Sequence, residues 1–599
     1  MVRTSLVASL LAAAASSLAA KSVVPGAYIF ELENGQQTMT GDGKTRMKLE
    51  YDLFTGLSVQ LHDLKTAKQK VAKYAAMPAV KAVHPVTLYD MPNPKIEWIA
   101  QEGNNLEQSG LASRAEGGPD TYSTHVMTQV DKLRAKGITG KGIKVAVIDS
   151  DVSVHPRSRL SCLNTDGICI RLIIYILLWV GVITYGKDCL VSFGHDFVGD
   201  AYNGTNTPVP GEDPMDCRGH GSHVTGIIAA QNNTYGFTCT APGVSLGAYR
   251  VFGCSGSGGN DVLIAAFNKA YQDGANIITA SIGGSSGWAQ DVWADAVSRI
   301  VDKGVPCVVS AGNEGDQGIF YANSPADGQH VSAIASFDNV QKPSILHLSK
   351  YQVDDGPEQS FGYVPSKLSN SWDGVNLPAW ASSLDPTIKN DACIEQFYRL
   401  GPPWNLLFFS DKAHNAIDKG AKYVLFYNDA PGVAFEVKFD APAPGAISAA
   451  SMVDAETGET FIKALKGGKK LTLQMVGPKN AELRILTANN TMSGGAVSAF
   501  SSWGPTFDMR SKPQYSAIGG TVLSTFPRAK GSYAVPSGTS MACPQAAGII
   551  ALIRQVRGAI TPQEIEYLLS SNSNPQLFND GTKFYDYLAP IQQQGGDLV

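Results

Sequence analysis

KGIKVAVIDS, residues 141–150, decides how the chain is read. Val145 and Val147 alternate with Ala146 and Ile148, so both faces of the segment are apolar, the pattern of a strand buried in a parallel sheet. The run ends on a carboxylate, Asp149, and carboxylates at the C-terminal edge of such sheets usually face a ligand crevice. Taken alone, Asp149 reads more simply as a helix cap or a turn residue. It needs partners.

Three other stretches supply them. In DCRGHGSHVTGIIAA, residues 216–230, His220 stands between two glycines just before an apolar helical run through Val224, Ile227 and Ile228. In PSGTSMACPQAAGIIALIRQV, residues 536–556, Ser540 precedes a helix whose first turn is expected to hold Pro544, where the helix dipole would orient and polarise the hydroxyl. Between them GVPCVVSAGNEG, residues 304–315, reads as a second buried strand ending beside Gly312 in Asn313. That amide is either a turn former or a hydrogen-bond donor to an oxyanion. Singly, a structural histidine and an N-cap serine are the plainer readings of His220 and Ser540.

Together, Asp149 in VAVIDS, His220 in GHGSHVTG, Asn313 in SAGNEG and Ser540 in GTSMACP resemble the four signature blocks of the subtilisin-like serine proteases, in that family's order. The resemblance runs from about residue 25 to the C-terminus. It implies an α/β fold with a doubly wound, mostly parallel sheet, an N-terminal α+β propeptide and an inserted protease-associated domain. It also implies roles: Ser540 as nucleophile, His220 as base and then acid, Asp149 holding the imidazole tautomer, and Asn313 with the Ser540 N–H binding the oxyanion. Gly256-Ser257-Gly258 in FGCSGSGG and Ser281-Ile282-Gly283 in IITASIGGSSG match the two edge segments that pair with an extended substrate. The same likeness implies protein or peptide substrates; no catalytic cofactor or metal ligand is assigned, and a structural calcium ion is left open without an assignable ligand set.

The organisation around these blocks is equally readable. MVRTSLVASLLAAAASSLAAKS has a basic head, an apolar stretch and small residues before Lys21, so residues 1–20 are expected to be a secretory signal and the chain extracellular. Sequons at Asn203, Asn232 and Asn489 fit that compartment. Residues 21–92 alternate like strands, with a turn expected at Thr55-Gly56, and then turn helical; this unit resembles the inhibitory propeptide of secreted subtilases. Residues 93–124 read as an exposed Pro/Gly/Asn/Ser connector. The protease core would run over 125–340 and resume at 491–599, interrupted by 341–490, where KGAKYVLFYNDAPG and GAISAASMVDAETGETFIKALKGGKKLTLQMV resemble the protease-associated insert of large extracellular subtilases of filamentous fungi. Relative to those, the sequence is expected to be truncated before their C-terminal β-sandwich.

Composition limits the alternatives. With 599 residues, 44% hydrophobic and 17% charged, the chain can bury a multi-domain core, and a net charge of -5 shows no footprint for nucleic acid or acidic lipid. Nine cysteines without a CxxC pair argue for disulfides over zinc. A monomer is expected.

Two departures from the family stand out. Asp151 replaces a usual glycine near Asp149, a second carboxylate that either acts on His220 by opposite-charge attraction or points into solvent. IRLIIYILLWVGVITYG, residues 170–186, is the most apolar run, yet only about 13 of its residues are free of interruption where a span needs roughly 20. A single span would also place Asp149 and His220 on opposite sides of a bilayer. Residues 157–186 are therefore read as foreign to the core, a gene-model error or a surface insertion. A secreted serine endopeptidase is the leading function; an inactive secreted homologue and a membrane-anchored binding protein are the alternatives.

Overall fold

The computed structural model describes residues 22–33, 41–99, 120, 122–150, 190–211, 216–230, 239–366, 372–381, 384, 409–427, 434–437, 439, 447–527, 530 and 533–599. The signal-like residues, Asp151, the apolar run 170–186 and the sequon at Asn232 lie outside the described residues.

The first unit is β1 (Val23–Leu32), β2 (Gly43–Tyr51), β3 (Phe54–Leu61), α1 (Ala67–Ala75) and β4 (Val80–Tyr89), an antiparallel sheet in the order β2-β3-β1-β4. Strand alternation divides its apolar residues between two faces. Phe30, Leu57, Val59 and Leu61 pack with Tyr74 of α1, while Ile29, Leu49, Phe54 and Val86 join the main core. The hairpin turns at Asp52-Leu53, so the turn expected at Thr55-Gly56 is wrong. Gly56 lies inside β3 opposite Glu31, where a Cβ would stand 2.3 Å from the Phe30 carbonyl oxygen. That glycine permits close strand approach rather than a bend.

The exposed connector also needs correction. Within 93–124, β5 (Lys95–Ile99) is a strand, because a partner edge far along the chain supplies the hydrogen bonds that its composition does not announce.

The main sheet follows. Its strands are β6 (Lys144–Asp149), β7 (Val191–Asp196), β8 (Ser245–Arg250), β10 (Ile277–Ala280), β12 (Cys307–Ser310), β14 (Ser332–Asp338) and β22 (Tyr515–Gly520), all parallel in the order β22-β14-β12-β10-β6-β8-β7. Intervening are α2 (His220–Ala229), β9 (Gly258–Gly259), α3 (Asn260–Gln272), β11 (Gly284–Ser285), α4 (Val292–Val301) and β13 (Asn323–Ser324). Val145 and Val147 pack with Val224 and Ile228 of α2, whereas Ala146 and Ile148 pack with Ile264 of α3 and Trp293 of α4. Helices therefore cover both faces, as a strand apolar on both sides requires. From β6 the chain goes to the sheet edge at β7, comes back to lay β8 between β7 and β6, and then crosses to place β10 on the other side of β6. That reversal puts the switch point between the C-terminal ends of β6 and β10, where open parallel sheets hold their ligands.

After β14 the chain leaves the core. Residues 341–489 form β15 (Gln341–Val353), β16 (Gln359–Pro365), β17 (Asn376–Pro378), α5 (Phe409–Asp418), β18 (Tyr423–Tyr427), β19 (Ala449–Val453), α6 (Ala455–Lys466), β20 (Leu471–Gln474) and β21 (Leu483–Asn489) in a sheet of their own. The outgoing β15 and the returning β21 pair antiparallel from Gln341↔Asn489 to His347↔Leu483. The excursion thus departs and returns at one point and leaves the parallel sheet intact. The chain then forms β22, β23 (Ser524–Thr525), β24 (Tyr533–Ser537), α7 (Thr539–Arg557) and α8 (Pro562–Asn572), with β5 completing a small sheet β23-β24-β5. Among the described residues no helix is long and apolar enough to cross a membrane.

Candidate active site

Asp149 ends β6 and His220 begins α2. The imidazole Nδ1 lies 2.7 Å from Asp149 Oδ1, with both side chains buried. The loop leading into α2 is organised by a residue to which the sequence reading assigned no role, Asp216. Its Oδ1 accepts the N–H groups of Arg218 and Gly219 at 2.8 Å, and its Oδ2 accepts from Ser222 N at 3.0 Å and Ser222 Oγ at 2.6 Å. Of these, the Gly219 and Ser222 N–H groups are orphan donors of the helix start, so one buried carboxylate ties the entry loop to the first turn. Gly219 has φ 109°, and a Cβ there would lie 2.4 Å from the Phe526 ring, so only glycine fits before His220. The signal was present as an Asp ahead of a Gly-His-Gly turn.

Ser540 is the second residue of α7, and Pro544 lies in that helix's second turn rather than its first, because the helix begins at Thr539. A proline four residues on removes the N–H that would have bonded the Ser540 carbonyl. That carbonyl instead accepts Ser281 Oγ at 2.8 Å, while Ser540 Oγ donates to the Ser281 carbonyl at 3.2 Å. Ser281 thereby fixes the serine's backbone from the end of β10. His220 Nε2 is buried and makes no hydrogen bond among the described residues.

Asn313 follows β12. Its Oδ1 accepts from Thr539 N at 2.9 Å and Thr539 Oγ1 at 3.0 Å. A backbone N–H can only donate, so the facing atom is the oxygen and the Nδ2 donor is turned the other way. Asn313 lines a cavity of about 320 Å³ with Asn93, Pro94, Phe500, Thr521 and Ser537. Between the ends of β10 and β12 the glycines Gly283 and Gly312 leave a slot, and Asn323 fills it: Cβ atoms would stand 3.2 Å from Asn323 Cβ at Gly283 and 2.3 Å from Asn323 Nδ2 at Gly312. Gly312 also has φ 109°. Asn323 carried no sequence signal.

Neighbouring titratable groups are quiet. Burial drives the His223 pKa down to about 3, against a 3.1 Å contact from Nε2 to the Ala534 carbonyl, so this second histidine stays neutral. Burial pushes the Cys543 thiol up to about 12, leaving no competing nucleophile at that position. Cys217 and Cys254 form a disulfide; Cys239, Cys307 and Cys543 are free and buried.

The edge segments are placed differently from one another. Gly258 of β9 pairs antiparallel with Tyr89 and Gly259 with Leu88 of β4, and Ser257 Oγ donates to Asp90 at 2.8 Å. Gly256 packs against the Asn203 backbone, Ile282 is wholly buried, and Gly283 faces Asn323. The Tyr89 ring meets Trp293 edge-on at 4.7 Å, lies against Gly284, and directs its hydroxyl to Asp291 at 3.3 Å. Burial raises the Tyr89 pKa well above its ordinary value, and the Asp291 charge adds to that. The first unit's last strand therefore lies along the segment read as a substrate edge. Of the sequons, Asn203 and Asn489 are exposed.

Similarity to known proteins agrees with this architecture. The subtilase family model matches residues 140–587. The chain is 27% identical over 554 residues to the minor extracellular protease Vpr of Bacillus subtilis (strain 168), covering 90% of this chain and 59% of that protein. It is 30% identical over 258 residues to subtilisin DY of Bacillus licheniformis, covering 42% of this chain and 77% of that one. It is also 37% identical over 155 residues to the extracellular serine proteinase of Thermus sp. (strain Rt41A), covering 25% and 35%. With its parallel sheet, the switch-point crevice and a family match over most of its length, the chain belongs to the subtilase family.

Proposed function

We infer that the protein is a secreted serine endopeptidase that cuts polypeptides through an acyl-enzyme. One observation carries this: the Asp149–His220 contact of 2.7 Å at the same sheet edge where Ser540 opens α7 and Asn313 is held by Thr539. Asp149 keeps the proton on Nδ1, so Nε2 carries the lone pair. As the Ser540 hydroxyl rotates from the Ser281 carbonyl toward His220, its proton passes to Nε2 while Oγ bonds to the scissile carbon. The displaced carbonyl electrons form an oxyanion, which the Asn313 Nδ2 and the Ser540 N–H receive. The imidazolium then gives its proton to the departing amine, and water repeats the sequence to free the acid. This chemistry asks for no metal.

Residues 21–92 act in this reading as a propeptide that inhibits the enzyme in cis. The support is the antiparallel pairing of Leu88-Tyr89 with Gly258-Gly259 and the passage of the chain from Asp90, on Ser257, to Asn93 and Pro94, beside Asn313. Residues 341–490 serve as a protease-associated unit of the kind found in large fungal subtilases, and Asn203, Asn232 and Asn489 as glycosylation sites of an extracellular monomer. The extracellular relatives agree with that compartment.

The test is fluorophosphonate labelling of the protein released into the medium, with Ser540→Ala as control. Labelling of the released protein that vanishes in Ser540→Ala is expected. Folded, processed protein that stays unlabelled would refute the catalytic reading.

A further inference from the structure

We propose that the Cys217–Cys254 disulfide is a redox modification site: a dithiol that opens it turns the enzyme down by releasing the loop that carries His220. The inference rests on the endopeptidase reading above and adds to it a regulator of stated class, a small or protein-borne dithiol.

The bond joins two segments of the site. Cys217 follows Asp216, the carboxylate that holds the Gly219 and Ser222 N–H groups at the start of α2. Cys254 stands two residues before Gly256-Ser257-Gly258, the edge segment that holds Asp90. Without the bond the two ends are unequally fastened. Cys254 N donates to the Asp200 carbonyl at 3.0 Å and Ser257 N to the Asn203 carbonyl at 3.1 Å, so the edge segment keeps its backbone anchors. On the other side, Asp216 reaches back to the end of β6 through one side-chain bond, from Ser150 Oγ at 3.3 Å. Opening the cross-link therefore frees the histidine loop more than the edge.

The surroundings favour opening. Both cysteines are half-buried whereas Cys239, Cys307 and Cys543 are buried, so among the described residues this pair is the sulfur that a reductant meets. Arg250 Nη2 lies 3.6 Å from each Sγ. The guanidinium is itself buried and cannot turn away: Nε donates to the Phe252 carbonyl at 3.0 Å, Nη1 meets Asp196 at 3.4 Å and Nη2 meets Asp200 at 2.8 Å. Asp200 is 78% exposed, so water screens its charge, and Asp196 shares its own with the N–H groups of Val198 and Gly199 at 2.9 Å. The cation thus keeps a pull on the sulfurs. It stabilises the thiolate expelled when the bond is attacked, and a thiol of lower pKa leaves faster. One thiolate of the reductant bonds to one Sγ and the other Sγ departs as a thiolate beside Arg250. The reductant's second thiol then displaces the first Sγ and closes the reductant's own disulfide. Two electrons and two protons pass to the protein, one proton going on to water where a sulfur stays ionised against Arg250.

The test holds mature, fluorophosphonate-reactive enzyme in dithiothreitol buffers of graded strength. kcat and KM are read on one peptide, and in parallel samples Cys217 and Cys254 are alkylated and located by mass spectrometry. A small displacement of a catalytic group is costly, so a fall in kcat of about tenfold or more is expected as the pair opens, with KM held within about twofold and activity restored by reoxidation. Cys217→Ser/Cys254→Ser enzyme should start at the lowered kcat and ignore dithiothreitol. Alkylation of the reduced pair should show a pH midpoint below the ordinary thiol value of about 8.5. A fully reduced pair with kcat unchanged would overturn the proposal, as would activity lost while the bond stays closed. Oxidised, folded enzyme that neither labels nor cuts the peptide would instead sink the endopeptidase reading.

Discussion

The two units appended to the parallel sheet, residues 23–89 and 341–489, are both small sheets backed by helices, yet they are joined to it in opposite ways. The first shares the core. Ile29, Leu49, Phe54, Val86 and Tyr89 belong to the same apolar cluster as Ile264 and Trp293, and two sets of charges cross the seam. Arg46 Nε meets Asp261 Oδ2 at 3.2 Å with both side chains buried, Ser58 Oγ adds 2.6 Å to the same oxygen, and Arg299 reaches Glu31 at 2.7 Å. The second unit keeps its own cores, one around Phe426 and Met452 and one around Tyr363 and Phe461, and departs and returns through the β15–β21 pair. In the proposed reading the docked unit covers the site and uncovers it by leaving. A branched unit stays: its two main cores are separate, and among the described residues only its root touches the protease core, where Ile345 and Leu483 pack with Leu523, Tyr533 and Val535 and Lys342 lines the Asn313 cavity.

The largest expected difference comes from Arg46→Ala made in uncut Ser540→Ala protein. Removing one partner of a buried ion pair leaves the other charge desolvated, a loss of about 3–5 kcal/mol. Hydrogen exchange should show residues 23–89 opening far more often while 341–489 keeps its protection; equal loosening of both would erase the distinction. Met452→Ala makes the reverse cut. Truncating this fully buried side chain should cost the insert about 2–5 kcal/mol with fluorophosphonate reactivity unchanged, and a parallel fall in reactivity would mean that the insert's core is coupled to the cleft.

The smallest effect is the pH dependence of the seam. Burial raises the Glu31 pKa, but the hydrogen bonds from Arg299 and Lys81 outweigh it and leave the carboxyl below its ordinary 4.5. A depressed folded pKa contributes stability that is complete above that ordinary value and is lost as pH falls through the lowered one. In the uncut protein the hold on residues 23–89 should therefore weaken below pH 4.5. Glu31→Gln should flatten this dependence, and an unchanged acid limb in that variant would contradict the assignment.

Legibility in the sequence followed the range of the interactions. Both-sided burial of β6 was readable from Val145 to Ile148, because packing on each face leaves a local mark. The four blocks placed Asp149, His220, Asn313 and Ser540 at one sheet edge, since turn glycines and helix starts are also local. What escaped depends on distant partners. Gly56 looked like a turn until Phe30 was seen behind it, β5 looked like a connector without β24, and Asn323 gained meaning only between Gly283 and Gly312. Pro544 was placed a turn too early because the helix starts at Thr539, and its effect on the Ser540 carbonyl runs through Ser281.

If residues 23–89 are seated on a working catalytic centre, that centre cuts the chain where it crosses. Sequencing the N-terminus of the released protein and of its Ser540→Ala variant tests it most directly. A new N-terminus between Met91 and Lys95 is expected in the parent and none there in the variant. The same processed end in both proteins, or a cut remote from that crossing, would contradict it.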